Sequence, residues 1–239
     1  MSKLRRLRQL AEWRVRARRD DAAVQALLAR VLTPTSNCVD VGAHEGEFLE
    51  YFMDRAPQGE HVAIEALPDL AEGLRRQYPS VRVVQCAVAA TDGQATFYHA
   101  VDRPAWSGLA KQNVPGETTV VELATDLRPL DGLVSDTGSV DFVKIDVEGA
   151  ELGVLAGATE ILSHRRATVL FEHALIHSSP HDTDSGQVFD ALDDAGYSIS
   201  SLSGAGPHSR AEFISLCLAA ERSGYGWRAQ TNWVASPKA

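Results

Sequence analysis

Two short segments about a hundred residues apart, CVDVGAHEG at 38–46 and VDFVKIDVEGAE at 140–151, constrain this chain more than any other feature. Each is an apolar run that ends at an acidic residue and a Gly-containing turn, and a helical pattern follows. Strand, turn and helix in that order place ligands at the carboxyl ends of a parallel sheet. Two such units predict a nucleoside-bearing cofactor with chemistry at its edge.

The rest of the pattern agrees with a doubly wound α/β sheet. Strands are expected near 38–42, 61–65, 81–87, 141–146 and 167–172, with helices near 46–55, 68–78, 149–163 and 185–195. Pro68 suits the first turn of its helix. YSISSLS (197–203), AEFISLCLAA (211–220) and NWVA (232–235) read as closing strands joined by a loop. Antiparallel pairing is allowed at a sheet edge. Two stretches break the alternation. Residues 95–101 and 118–123 look like extra strands around the 16-residue insert DRPAWSGLAKQNVPGE, a candidate lid. The second is HSSPHDTDSG at 177–186, directly after a strand end.

At the start, residues 1–19 hold eight Lys/Arg and one acid, a net +7, so of the chain's −9 the other 220 residues carry −16. An acidic body argues against nucleic acid as the main partner. The basic arm reads as a helix with a Leu stripe at positions 4, 7 and 10, and a second helix is expected over 20–32. Residues 1–32 are therefore expected to form a helical extension, and 33–239 the main domain. The stripe either docks on that domain or meets an anionic partner, a membrane surface or a second subunit, which leaves a homo-oligomer through these helices open. No apolar run approaches the roughly 20 residues that span a bilayer. The start also lacks the continuous apolar stretch of a secretory signal. Three scattered cysteines (38, 86 and 217) form no CxxC pair, and buried free thiols in a reducing cytoplasm are expected.

The turn after the first strand has glycines at 42 and 46, less than the GxGxxG that a pyrophosphate requires. It suits a cofactor without phosphate, such as S-adenosylmethionine, with Asp40 facing its amino group and Gly42 letting the methionine portion pass. A purely structural turn is the alternative. Glu65 stands at a strand end 23 residues beyond Gly42, where an acid can accept both ribose hydroxyls. Ala87 and Val88, small and apolar, could flank an adenine.

In DFVKIDVEG, strand alternation puts Lys144 and Asp146 on one face with Asp146 nearer the carboxyl end. Asp146 could serve as base, orient the acceptor or hold a divalent cation that lowers a hydroxyl pKa. Glu148, in the turn, could hold cofactor or acceptor, and Lys144 is expected to neutralise a neighbouring acid. After the fifth strand, Glu172, His173, His177, His181 and Asp182 crowd together. His173 is the candidate general base, with Glu172 and Asp146 converging on it from adjacent strand ends. The spacing of four puts His173 and His177 on one face if that stretch is helical. No HExxH-like metal motif is present. Trp106 and Ser107 in the insert are candidate contacts to cofactor or substrate.

The set CVDVGAHEG, HVAIEALP, QCAVAATDG, WSGL and DFVKIDVEGAELGVLAG, with LFEH at 170–173, closely resembles the FkbM-type family of S-adenosylmethionine-dependent methyltransferases. The likeness covers about 38–173, and KIDVEGAE is its most specific part. It implies a class I methyltransferase (Rossmann-like) fold, a seven-stranded sheet with an antiparallel last strand, here preceded by N-terminal helices. It also implies methyl transfer mainly to hydroxyl groups of natural products or sugars. Asp40, Gly42 and His44 match the first cofactor loop, Glu65 the ribose acid, and Asp146 and Glu148 the acids after the fourth strand. The expected function is methylation of a small-molecule acceptor, O-methylation first, with N-methylation or a catalytically silent binding module as alternatives.

Overall fold

The computed structural model describes residues 20–112, 117–222 and 231–239. The basic arm at 1–19, with its expected Leu-striped helix, lies outside the described residues, as do 113–116 of the insert. Seven strands form the main sheet: β1 (Cys38–Val41), β2 (Val62–Ile64), β3 (Arg82–Val84), β7 (Phe142–Ile145), β8 (Thr168–Glu172), β9 (Tyr197–Ser201) and β10 (Asn232–Pro237). Their order is β3-β2-β1-β7-β8-β10-β9. β10 lies antiparallel between β8 and β9, while the pairs from β3 to β8 are parallel. This is the class I methyltransferase arrangement.

Because side chains alternate across a strand, each segment feeds two cores. Val39, Val41, Val143, Ile145, Val169 and Phe171 face one side, against α4 (Leu130–Leu133), α5 (Glu151–Ala156), α7 (Ser185–Asp194) and α8 (Arg210–Arg222). Cys38, Phe142 and Leu170 face the other, against α1 (20–31), α2 (Glu47–Arg55) and α3 (Pro68–Gln77). The strand order reverses between β1 and β7, so the chain leaves that pair in opposite directions and opens a crevice at their carboxyl ends.

Three expectations need correction. The strand expected over 81–87 divides: β3 stays in the main sheet, while β4 (Ala87–Val88) joins a second sheet of order β4-β6-β5. In that sheet β5 (Gly93–Ala100) and β6 (Val120–Arg128) pair antiparallel, and they are the two extra strands around the insert. The helix expected over 149–163 is interrupted. α5 ends at Ala156, and the Asp131 carboxylate accepts the N–H groups of Glu160 and Ile161 at 2.8 and 3.1 Å to start a separate turn. Residues 211–220 are helical, not a strand. Phe213, Cys217 and Ala220 bury one helical stripe. Ser209 and Glu212 close a reciprocal cap, Ser209 N–H on the Glu212 carboxylate (2.8 Å) and Glu212 N–H on Ser209 Oγ (3.4 Å).

Cys38, Cys86 and Cys217 are all free and buried. Among the described residues no helix is long and apolar enough to cross a membrane. On the inserted strand, Trp233 is fully buried and meets the Phe213 ring edge-on with centroids 4.6 Å apart. Trp233→Ala is expected to cost about 3–5 kcal/mol of unfolding free energy in a denaturant titration.

Candidate active site

The segments CVDVGAHEG and VDFVKIDVEGAE are in direct contact. β1 and β7 pair so that Asp40 lies beside Lys144 and Val41 beside Ile145. Just past them, Gly42 has a left-handed backbone (φ 78°), and a Cβ there would overlap the Asp146 carbonyl oxygen. A side chain at 42 would therefore force the two loops apart. Asp146 N–H donates to the Val41 carbonyl at 3.0 Å. Lys144 Nζ, almost fully buried, donates to the Gly42 carbonyl at 2.9 Å and forms ion pairs with Asp40 at 3.3 Å and Asp146 at 3.6 Å. Burial pushes the Asp40 carboxyl up to about 6, with Asp146 and Glu65 adding and Lys144 opposing. Burial pulls the Lys144 ammonium down, but Asp40 and Asp146 outweigh it and its pKa is raised.

Above this junction lies a cleft of about 270 Å³, near the lower end of small-molecule pockets. Gly42, Ala43, His44, Glu65, Lys144, Asp146 and Glu148 line it, together with an apolar wall of Ile64, Ala87, Val88, Phe97 and Leu109. The Glu65 carboxylate is held by two backbone donors, His44 N–H at 2.9 Å and Leu67 N–H at 2.8 Å. Each oxygen keeps a lone pair for a further donor. The insert supplies Pro104, Ala105, Ser107 and Leu109 to the wall. Its backbone is tied down by Ala100 N–H on Ser107 Oγ (3.0 Å) and by the Tyr98–Gly108 bridge.

Acids gather beside Lys144. Glu148 reaches His177, with Oε2 and Nδ1 2.7 Å apart, and the Trp106 ring packs on that imidazole at 5.0 Å. Burial pushes Glu148 up to about 7, with Asp146 and Glu151 adding and the His177 hydrogen bond opposing. Burial lowers His177, but Glu148, Glu172 and Glu151 more than reverse this and its pKa is raised. Burial also pushes Glu172 up to about 8, reinforced by Asp146 and Glu148.

Of the residues singled out in the sequence, Gly42, His44, Glu65, Ala87, Val88, Ser107, Asp146 and Glu148 line one cleft. Asp40, Glu172 and His173 are not part of its wall. Asp40 is fully buried beneath it against Lys144. His173 points into the core on the opposite face of β8 from Glu172, with Nδ1 3.2 Å from Glu151 and Nε2 3.0 Å from Ser185. His173 and His177 do not share a helical face, because α6 (Leu175–Ser178) begins only after His173. The sequence reading did not single out Gln112, whose Nε2 donates to the carbonyls of Glu148 and His177 at 2.7 and 3.3 Å. Nor did it pair Glu148 with His177, although both were named. Among the described residues no group of three or more His, Cys, Asp or Glu is arranged to hold a metal ion.

Fold and cleft together define a class I, Rossmann-like methyltransferase. The family model of the methyltransferase FkbM domain matches residues 40–199, more than half of the chain. The chain belongs to the FkbM family of S-adenosylmethionine-dependent methyltransferases. A curated relative, the AMB antimetabolite synthetase AmbE of Pseudomonas aeruginosa, is 27% identical over 202 residues, covering 69% of this chain and 9% of that protein. Methyltransferase FkbM from Methylobacillus flagellatus superposes with a TM-score of 0.52 at 18% identity, covering 85% of this chain and 44% of that one. A putative O-methyltransferase from Klebsiella pneumoniae gives 0.48 at 12% identity, covering 92% and 80%. This chain spans less than half of the FkbM structure and about a tenth of the synthetase.

The residues present fit the family's cofactor. Glu65 offers free lone pairs beside an apolar wall, as an adenosine needs, and the polar loop at Gly42, Lys144 and Asp146 lies in the same cleft.

The raised Glu172 carboxyl has a consequence for stability. In the unfolded chain it ionises near the ordinary value of 4.5, and in the native protein near 8. Its stabilising effect is therefore present below the unfolded value and lost as pH rises through about 8. Glu172→Gln should raise Tm at pH 9 relative to wild type and change it little at pH 5, as read by calorimetry at the two pH values.

Proposed function

We propose that this chain is an O-methyltransferase that transfers the methyl group of S-adenosylmethionine to a hydroxyl of a small molecule, a natural product or a sugar. Residues 33–239 are the catalytic domain in this reading and 1–32 its helical extension. The observation that carries the choice of oxygen is Glu148 at the cleft wall, backed by His177 at 2.7 Å. A hydroxyl acceptor must lose its proton as the new bond forms, and a carboxyl that burial pushes up to about 7, in contact with an imidazole, is suited to take it. An amine acceptor needs alignment more than a base and would leave the pair without a task. The name of the curated relative, an antimetabolite synthetase, supports a natural-product acceptor. Three unpaired buried thiols are in keeping with a cytoplasmic setting.

S-adenosylmethionine, when bound, supplies a methyl on a sulfonium, and transfer to oxygen leaves S-adenosylhomocysteine and one proton. Glu65 would accept hydrogen bonds from the ribose. Gly42 leaves the cofactor loop close to Asp146, and Lys144 sets the charge beneath it. Asp146 orients the acceptor, Glu148 takes its proton, and His177 shares that proton through its 2.7 Å contact. From the insert, Ser107 narrows the cleft and Trp106 covers the His177 ring, which keeps water from the reacting atoms.

Calorimetry tests the cofactor assignment. Wild type should bind S-adenosylhomocysteine with micromolar affinity and give no signal with NAD. Glu65→Ala should weaken that binding about 10- to 100-fold, the loss of one charged hydrogen-bonding group. Absence of binding to wild type would sink the reading. For the base, turnover against a panel of hydroxylated metabolites with labelled cofactor should rise with pH through an apparent pKa near 7, the value of Glu148. Glu148→Gln should lose turnover about 100-fold or more with S-adenosylhomocysteine affinity nearly unchanged. Unchanged turnover in that variant would remove Glu148 as base.

A further inference from the structure

Behind the cleft wall, three polar side chains form an unbroken chain through the apolar core. Ser185 opens α7, His173 directly follows β8, and Glu151 opens α5. They are 3%, 1% and 2% exposed. Ser185 Oγ lies 3.0 Å from His173 Nε2, and His173 Nδ1 lies 3.2 Å from Glu151 Oε2. The other Glu151 oxygen accepts the Gly149 N–H at 2.8 Å. An ionised carboxylate only accepts, so His173 donates from Nδ1, and a neutral imidazole then accepts the Ser185 hydroxyl proton at Nε2. The order Ser, His, Glu is that of a nucleophilic relay. Sealed from solvent and absent from the cleft wall, it has no acyl or methyl group to reach.

What the chain does reach is Gly149, the residue after Glu148. Gly149 has φ 102°, and a Cβ there would overlap the His177 carbonyl oxygen, so the turn presses directly on the backbone that carries His177. The Phe213 ring stacks on His173 at 6.1 Å and keeps the imidazole in plane. β8 is anchored nearby by His173 N–H on the Thr231 carbonyl at 2.8 Å. The distance between Glu148 and His177 is thus set from the core side.

We propose that Glu151, His173 and Ser185 are positioning residues that hold the 147–150 turn so that Glu148 meets His177, a proposal that rests on the methyltransferase reading of the cleft. The hydrogen bonds, not the Glu151 charge, are what the device needs. Glu151→Gln keeps them: the amide oxygen accepts Gly149 N–H, the amide nitrogen donates to His173 Nδ1, and His173 Nε2–H then donates to Ser185. Glu151→Ala breaks the chain at the turn, and Ser185→Ala breaks it at the far end with every charge retained.

Two readouts on the full chain need no methyl acceptor. One is native-state amide exchange of residues 147–150. The other is the pH titration of the His177 ring protons by NMR, with Glu148, Glu151 and Glu172 as the charged groups acting on that imidazole. Expected is wild-type exchange in Glu151→Gln, with its His177 titration lowered only by the lost Glu151 charge. In Ser185→Ala, which retains every charge, and in Glu151→Ala, exchange should be faster by about tenfold or more, with a His177 titration moved further down toward about 6.5. Should Glu151→Ala fail to fold, Ser185→Ala and Glu151→Gln decide the matter. A Glu151→Gln that matches Glu151→Ala, or broken-chain variants that leave both readouts at wild type, would overturn the proposal. Loss of S-adenosylhomocysteine binding by wild type would instead fail the methyltransferase reading and leave these readouts interpretable.

Discussion

One buried ammonium group holds the cleft together. Lys144 sits beside Asp40 because of the β1–β7 register, and alternation puts both on the face covered by α2, where Phe48 lies under Nζ at 5.2 Å. A carboxylate sealed this far from water carries a large desolvation cost, and removing its partner typically costs about 3–5 kcal/mol. Lys144 meets that cost and also reaches Asp146 and the Gly42 carbonyl, so one charge fixes both loops at the cleft floor. Glycine at 42 is the steric counterpart, since only a missing side chain lets the Asp146 carbonyl come so close. The floor of the cleft is therefore specified twice, by charge and by shape.

Upward from that floor, the acids outnumber the cations. Asp146 shares Lys144 with Asp40, which leaves Glu148 and Glu172 to repel each other and to draw on His177. Their raised pKa values follow from burial and crowding, and they place proton exchange near neutral pH, where a base for a hydroxyl group is most effective. The fold alone would not say this, because one sheet topology serves many reactions. The proposal of oxygen as acceptor rests on these side chains.

The strands around the crevice were legible because each is a short apolar run that ends in an acid or a turn. Glu65 was legible because its distance from Gly42 matches one strand–helix–strand unit. Residues 211–220 were misread because nine of their ten side chains are apolar or small, so neither period stands out. The signal that could have settled it was Ser209 and Glu212 at capping spacing. His173 looked like a base because it follows a strand end. One residue past Glu172, the last of β8, it turns to the opposite face and meets α5, α7 and α8, a tertiary fact with no local mark. Gln112 was equally silent: its role depends on two carbonyls that lie 36 and 65 residues away.

A crystal structure with S-adenosylhomocysteine bound is the most direct test of this account. It should show the ribose hydroxyls on Glu65, the adenine against Val88 and Phe97, and the amino-acid end over Gly42 and Asp146, with the Lys144 contacts retained. Ligand bound elsewhere, or Glu65 left with only His44 and Leu67 as partners, would contradict it.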